Sequence, residues 1–472
     1  MLYFEIYICY NEKVRGEICL KNEDIDLNIV DYGMNFEGIS KINGKTVFVP
    51  MAMKNEKINA RIIKENKNYL IAKINVIYDK SKYRQDPFCD VYIRCGGCSG
   101  QHISYLEQLK IKKQNVKNLL DKYKVSYKIL EDTIGQGLPY YYRNKASYPV
   151  RVNKNGENMI GFYSKRSHEI IKNNCCFISD RVIDMLAKEV FNILVDEKFS
   201  MYNEANYIGD IRHILIRRGY HTSDIMVVIV VNNKSIYNEK SFYRVVEKIT
   251  KLNKNIKSIF LNLNDSVTNE ILGDSTLKVY GDEYISDYIG DYKYFISPKS
   301  FFQVNTIQAE ILYETLKQNL NLKNDDILFD LYSGVGSIGI FLANSVERVY
   351  GIEIEVQAVK MANLNIKENN ILNAEYIAGA VEDKIEEYKR RNIKPSIIVV
   401  DPPRKGLDEK SIEYILNFEP EKIGYVSCNP STMVRDLKLL ESKYDTVSIT
   451  PVDMFPHTSH VECILLLHRK KF

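Results

Sequence analysis

The chain has 472 residues, 45% hydrophobic and 27% charged, which excludes wholesale disorder and suits about two to four domains. Sixty-five Lys plus Arg against 61 Asp plus Glu leave +4, a balance that permits a nucleic-acid partner on a local basic face without requiring one. No apolar run reaches the ~18 residues of a membrane-spanning helix, and MLYFEIYICYNEK lacks the pattern of a signal peptide, so a soluble, cytoplasmic chain is expected.

From Ile25 to Tyr78 apolar and polar residues alternate between Gly and Asn turns, as in EGISKINGKTVFVP, and predict a small antiparallel barrel or sandwich. A cysteine-rich loop follows, then a helix over Tyr105 to Tyr123. The stretch from about Tyr141 to Ile296 mixes strands such as HILIRRG and DIMVVIVV with helices and reads as α+β. Near Ser300 the pattern becomes regular strand–helix alternation: DILFDLYS, RVYGIEI, AEYIAG, SIIVVDPP, KIGYVSC, DTVSITPVD and VECILLLH. That alternation predicts a doubly wound, mainly parallel sheet.

Four motifs in the last third carry chemistry. Asp330 to Gly339, DLYSGVGSIG, is a strand, a glycine-rich turn and a helix start, where Gly334 lets a ligand approach the backbone. Glu353 ends the next strand, where a carboxylate can take ribose hydroxyls. A lone glycine turn of this kind also occurs in NAD enzymes, but no hydride-transfer constellation accompanies it. Asp401-Pro-Pro-Arg404 ends a fourth strand at the switch point where such folds bind ligands. An aromatic after the prolines would favour amino-group methylation, and Arg404 stands there instead. Cys428, in SCNPST, lies at a strand-to-helix junction, where a helix start is expected to favour thiolate. DMFPHTSHVE then crowds ionisable groups at the entry to an apolar strand, and places Glu462 as a candidate base.

DPPRKG, YVSCNPST and DMFPHTSHVE, in this order, resemble the RNA uracil-C5 methyltransferase family. SPKSFFQVN and YYRNKASYPV extend the likeness to nearly the whole chain. The resemblance implies S-adenosylmethionine as cofactor, Cys428 as nucleophile at uracil carbon 6, and Glu462 as acceptor of the carbon-5 proton. It also implies Gln303, Tyr332, Gly334, Glu353 and Asp401 around the cofactor, with Asp401 also available to the uracil edge; His460 is a candidate to orient Glu462. Two departures are Gly424, where the family prefers a branched residue, and Ala380, where some members have a polar cofactor contact. Three domains are expected: residues 1–80, resembling the OB-like TRAM barrel; 81–296, central α+β; and 297–472, a Rossmann-like methyltransferase domain.

Cys89, Cys95 and Cys98 form C-x5-C-G-G-C, too regular for core filling, with Cys175-Cys176 further on. Four thiolates suit zinc. The resemblance instead implies a [4Fe–4S] cluster on Cys89, Cys95, Cys98 and Cys176, in a structural role. Arg143, Lys145 and Arg404, with Arg212, Arg217 and Arg218, are candidate RNA contacts. Members with both barrel and cluster tend to act on large-subunit rRNA, so 23S rRNA is the expected substrate and tRNA the alternative, for a monomeric enzyme. An idle, RNA-binding methyltransferase fold is the rival from another class, and the intact Cys428 and Glu462 weigh against it.

Overall fold

The computed structural model describes residues 20–233, 235, 236 and 240–471. The expectations drawn from the first residues lie outside these. The chain divides into two compact units: residues 1–87, 98–115 and 457–459, and residues 88–97, 116–456 and 460–472.

In the first unit, alternation produces six strands: β1 (Asp24–Asn28), β2 (Asp31–Tyr32), β3 (Gly38–Ile42), β4 (Lys45–Val49), β5 (Lys57–Glu65) and β6 (Tyr69–Asp79). They form one sheet in the order β1-β5-β6-β4-β3-β2, antiparallel except for β4 on β6. Asn43 and Gly44, both at positive φ, make the tight turn between β3 and β4 that a right-twisted hairpin requires. The Val30 N–H donates to Ile39 O at 2.8 Å, so the chain leaving edge strand β1 returns to β3 and the sheet curls on itself. Every second residue points inward, and Val47, Ile58, Ile62 and Leu70 are fully buried.

Helix α1 (Tyr105–Tyr123) has the predicted span, and β7 (Tyr127–Leu130) follows. The second unit then builds a sheet from β8 (Lys145–Val152), β9 (Asn158–Ile160), β12 (Ile211–Arg218), β13 (Ile225–Val231), β14 (Ile256–Leu263) and β15 (Ser275–Gly281). Between these lie the short pair β10 (Phe162–Tyr163) and β11 (Ile170–Ile171). The order is β15-β14-β13-β12-β8-β9. Helices α2 (Arg181–Asp196) and α3 (Lys240–Thr250) supply apolar residues to the core on one face. The run Ile225–Val231 is buried at every position, as expected of a central strand covered on both sides. A hairpin, β16 (Ile285–Ile289) and β17 (Tyr292–Ile296), leads to α4 (Thr306–Leu320).

The alternating region follows as β18 (Ile327–Leu331), α5 (Ser337–Leu342), β19 (Arg348–Glu353), α6 (Val356–Glu368), β20 (Ala374–Ala378), α7 (Val381–Arg390), β21 (Ile397–Val400), α8 (Glu409–Phe418), β22 (Lys422–Ser427), α9 (Pro430–Leu440), β23 (Tyr444–Val452) and β24 (Glu462–Arg469). The order is β20-β19-β18-β21-β22-β24-β23-β7; β18 to β22 run parallel, whereas β24 is antiparallel to both β22 and β23. Strand residues alternate between two cores. Leu328, Val349 and Val399 meet α4–α6, and Phe329, Ile398 and Val400 meet α7–α9. Gly424 has a packing reason: a Cβ there would lie 2.9 Å from a Leu316 methyl of α4. Among the described residues no helix is long and apolar enough to cross a membrane.

Candidate active site

Parallel strands end at one edge of the sheet, and the candidate residues gather there because they are strand-terminal. Tyr332 follows β18, Glu353 ends β19, Asp401 follows β21 and Cys428 follows β22. Glu462 joins them only because β24 runs the other way. Ser427 pairs with Cys463 in the antiparallel ladder, so Cys428 and Glu462 occupy the next facing positions.

Burial sets the electrostatics of this edge. Glu462 is 6% exposed and is pushed up to about 8 by burial and then by Asp401, against the pull of Arg404. Burial also raises Asp401 to about 7. Cys428 is half-buried and pushed up to about 11, by burial first and then by Glu462 and Asp401, with Arg404 opposing. The thiolate expected from a helix start is therefore not the resting state. The first turn of α9 is capped by Asn429, whose side chain accepts the Ser431 N–H, and two carboxyls face the sulfur.

The glycine turn is braced from below by Asp330, which the motif contained but sequence reasoning did not single out. Its Oδ2 accepts the Gly339 N–H at 3.0 Å, while its buried Oδ1 has no partner, and burial raises it to about 7. A Cβ on Gly339 would collide with Asp330 and the Tyr376 hydroxyl, so only glycine fits. Ser333 Oγ is a second buried, unpartnered polar atom of this turn. Glu353 accepts the Gly334 N–H and the Glu355 N–H, each at 2.9 Å, which fixes its carboxylate beside the turn. Tyr332 takes a positive φ of 62°, and its hydroxyl meets Ser411 Oγ at 2.8 Å and Asp408 Oδ2 at 3.1 Å, so the ring is held at the turn.

Tyr313 of α4 is the other residue the sequence reading missed. Its buried hydroxyl lies 2.9 Å from Ser337 Oγ, which ties α4 to the glycine turn. Asn144 holds the 297–305 loop from β8, through its N–H to Val304 O and its side chain to Gln303 O and Thr306 Oγ1. Nothing in an amphipathic helix pattern marks a tyrosine as a bridge rather than a core residue.

The family described as tRNA (Uracil-5-)-methyltransferase matches residues 104–470. The chain belongs to this family. An uncharacterized RNA methyltransferase of Clostridium tetani is 41% identical over 448 residues, covering 95% of this chain and 96% of that protein. One from Staphylococcus aureus is 40% identical over 451 residues, 95% and 99% of the two chains. The crystal structure of the Pyrococcus abyssi tRNA (uracil-54, C5)-methyltransferase in complex with S-adenosyl-L-homocysteine superposes with a TM-score of 0.71 at 26% identity, over 94% of this chain and all of that one. The fold is thus that of an S-adenosylmethionine-dependent methyltransferase, within a family of RNA uracil-5 methyltransferases.

Within this frame the remaining candidates divide. Arg404 is exposed, its backbone held by Asn429 and Thr432, and its charge acts on Cys428 and Glu462. Arg143 is half-buried, and Lys145 is pushed down to about 7 by burial and by Arg217 opposite it. Of the other arginines expected to meet RNA, two are buried and the third is ion-paired. Arg212 is buried and donates to the Asn264 and Ser266 carbonyls, Arg217 is buried against Pro298 and Ser300 carbonyls, and Arg218 pairs with Asp180 at 2.8 Å. His460 is exposed, with its ring 6.0 Å from that of Phe455.

Cys89 and Cys95 lie in the second unit with Cys175 and Cys176, and Cys98 in the first. Burial raises the Cys89 thiol, with Asp90, Cys95 and Cys175 adding to it. Cys176 sits more deeply, beside Asp184, and is pushed up to about 11. Among the described residues no group of three or more His, Cys, Asp or Glu side chains is arranged to hold a metal ion.

Proposed function

We propose that the chain methylates carbon 5 of a uridine in 23S rRNA with S-adenosylmethionine. The observation that carries the chemistry is the facing pair of Cys428, just after β22, and Glu462, at the start of β24, with Asp401 and Arg404 beside it. The cofactor fits the glycine turn: Asp330 Oδ1 and Ser333 Oγ are buried and unpartnered there, and four acids offer a favourable surround to a cation. Gln303, Tyr332, Gly334, Glu353 and Asp401 would hold it. Bound there, it supplies an electrophilic methyl group.

Carbon 5 of uracil is too weak a nucleophile unaided. Cys428 gives up its thiol proton to solvent and its sulfur adds to carbon 6, which moves the ring double bond's electrons onto an enolate, offset by Arg404, and makes carbon 5 nucleophilic. Once carbon 5 carries the methyl, Glu462 removes its remaining proton. The electrons reform the ring double bond and expel Cys428 as thiolate. A carboxyl raised to about 8 is well matched to that proton transfer near neutrality. The target uridine must leave any stack to reach Cys428, so a loop or a flipped base is the expected substrate.

The rRNA assignment rests on the resemblance of the β1–β6 segment to the TRAM barrel and on the cysteine pattern. Both belong to a three-part layout of residues 1–80, 81–296 and 297–472. With it goes a [4Fe–4S] cluster on Cys89, Cys95, Cys98 and Cys176, zinc being the other metal four thiolates would suit; no catalytic step passes through it. A transfer-RNA substrate is the second reading, favoured by the superposition on the archaeal tRNA enzyme. Nucleoside mass spectrometry of fractionated rRNA and tRNA from cells lacking the protein separates them. Loss of 5-methyluridine from 23S rRNA alone supports the first, loss from tRNA the second, and loss from neither contradicts both.

A further inference from the structure

Two residues beyond Gln303, the start of α4 buries a group of amides that the mechanism leaves unused. Asn305 is 1% exposed and employs every polar atom of its side chain. Its Oδ1 accepts the Gln308 N–H at 3.3 Å and caps α4, while its Nδ2 donates to Gln136 Oε1 at 2.8 Å and to Met454 O at 3.0 Å. A helix cap needs only the acceptor, which Ser, Thr or Asp supplies as well as Asn does. The two donors of Asn305 therefore do something besides capping. Gln308 is buried too, and its Nε2 donates to Asp453 O at 2.8 Å.

The carbonyls so held belong to the residues that follow β23. Asp453 and Met454 come directly after Val452, and Val452 is the residue that faces Glu462 in the β23–β24 ladder. The same strand end is gripped by Ile134, whose N–H donates to Pro451 O at 2.9 Å and whose carbonyl accepts the Asp453 N–H at 2.8 Å. Gln136, the other group that Asn305 reaches, lies two residues past Ile134. One buried amide thus ties the start of α4 to both segments that meet at Val452. The preceding loop has its own support, since Asn144 holds Gln303 O and Val304 O from β8.

A general base works only when its carboxyl stands within hydrogen-bond reach of the proton it takes, and small displacements are costly. We propose that Asn305 is a positioning residue for the proton-removal step: by pinning Met454 and Gln136 to the start of α4 it fixes the end of β23, and through Val452 it keeps Glu462 opposite Cys428. The inference rests on the reading of Cys428 and Glu462 as nucleophile and base. Asn305 acts through Glu462 rather than on the substrate.

The test compares full-length Asn305→Ser with wild type on rRNA and tRNA from cells lacking the protein. Serine keeps an acceptor for the α4 cap but is too short to reach Gln136 and Met454. Turnover is expected to fall about tenfold to a hundredfold, with covalent protein–RNA adduct accumulating on a denaturing gel because the step after methyl transfer has slowed. Calorimetry with S-adenosylhomocysteine should give the wild-type affinity, since Asn144 still holds the loop. Added to Glu462→Gln, Asn305→Ser should change turnover by less than about twofold, because the step it serves is already lost. Gln308→Met, which removes only the bond to Asp453 O, should show the same signature more weakly and carries the test should Asn305→Ser fail to fold. A lowered melting temperature with wild-type turnover and no adduct in the folded variants would reduce Asn305 to a helix cap and overturn the proposal. So would a full loss on top of Glu462→Gln. A Glu462→Gln protein that turns over normally without adduct would instead sink the catalytic reading itself.

Discussion

The carboxyl edge of the β18–β24 sheet and the interior of the β8–β15 sheet both bury charged side chains, and they treat them in opposite ways. In the β8–β15 sheet, Arg212 and Arg217 are almost wholly enclosed, and each is anchored by a terminal N–H on two backbone carbonyls while its Nε has no partner. At the catalytic edge Asp330 and Glu462 are buried and Asp401 is half-buried beside them, and burial raises all three to about 7 or 8. Buried charge tied to backbone carbonyls is architecture, whereas clustered buried carboxyls raised toward neutrality are held ready for something that arrives. The unpartnered oxygen of Asp330 makes the second case most plainly.

If that contrast is right, substitutions in the two regions fail differently. The largest effect is expected from Glu462→Gln, which should lower turnover by about 10²–10⁴-fold. It should also accumulate a covalent protein–RNA adduct, seen as a slowed band on a denaturing gel; normal turnover without adduct would remove Glu462 from the chemistry. Arg212→Met should instead leave two carbonyls unpaired at a cost of about 1–3 kcal/mol each, read as a lower melting temperature. Its RNA affinity and salt slope should match wild type, and a reduced slope would restore Arg212 as a phosphate contact.

The acids also predict a pH dependence. Their folded values lie above the roughly 4 of an unfolded carboxyl, so the stability they contribute is full below that value. It is lost as pH rises through 7 to 8. A bound sulfonium favours their ionised forms, so S-adenosylmethionine should release protons and bind more tightly at pH 9 than at pH 6. Calorimetry showing equal affinity at both would contradict the electrostatic description. The smallest effect is expected from Tyr313→Phe, which removes the hydroxyl that holds Ser337 at the glycine turn. The KM for S-adenosylmethionine should rise about fivefold, the loss of one hydrogen bond of about 1 kcal/mol, with kcat retained. A kcat loss without a KM change would place Tyr313 elsewhere in the reaction.

The same contrast explains what could be read in the sequence. Asp401, Cys428 and Glu353 were legible because strand–helix alternation places strand-terminal residues at one edge whatever surrounds them. Glu462 needed the motif as well, because an antiparallel last strand reverses which end meets that edge. Arg212 and Arg217 were misread as RNA-facing, since a strand's period does not say that both faces are covered. The resting state of Cys428 was misread for a related reason: the helix start is local in sequence, while the carboxyls of Asp401 and Glu462 arrive from two other strands. Tyr313 stayed hidden because its partner Ser337 meets it only in the folded chain.

The most direct test of covalent catalysis at this edge uses purified Cys428→Ala with radiolabelled S-adenosylmethionine and ribosomal or transfer RNA. Cofactor binding should persist, with no label in 5-methyluridine. Label appearing there at any rate near that of the wild type would contradict the mechanism, whatever the RNA.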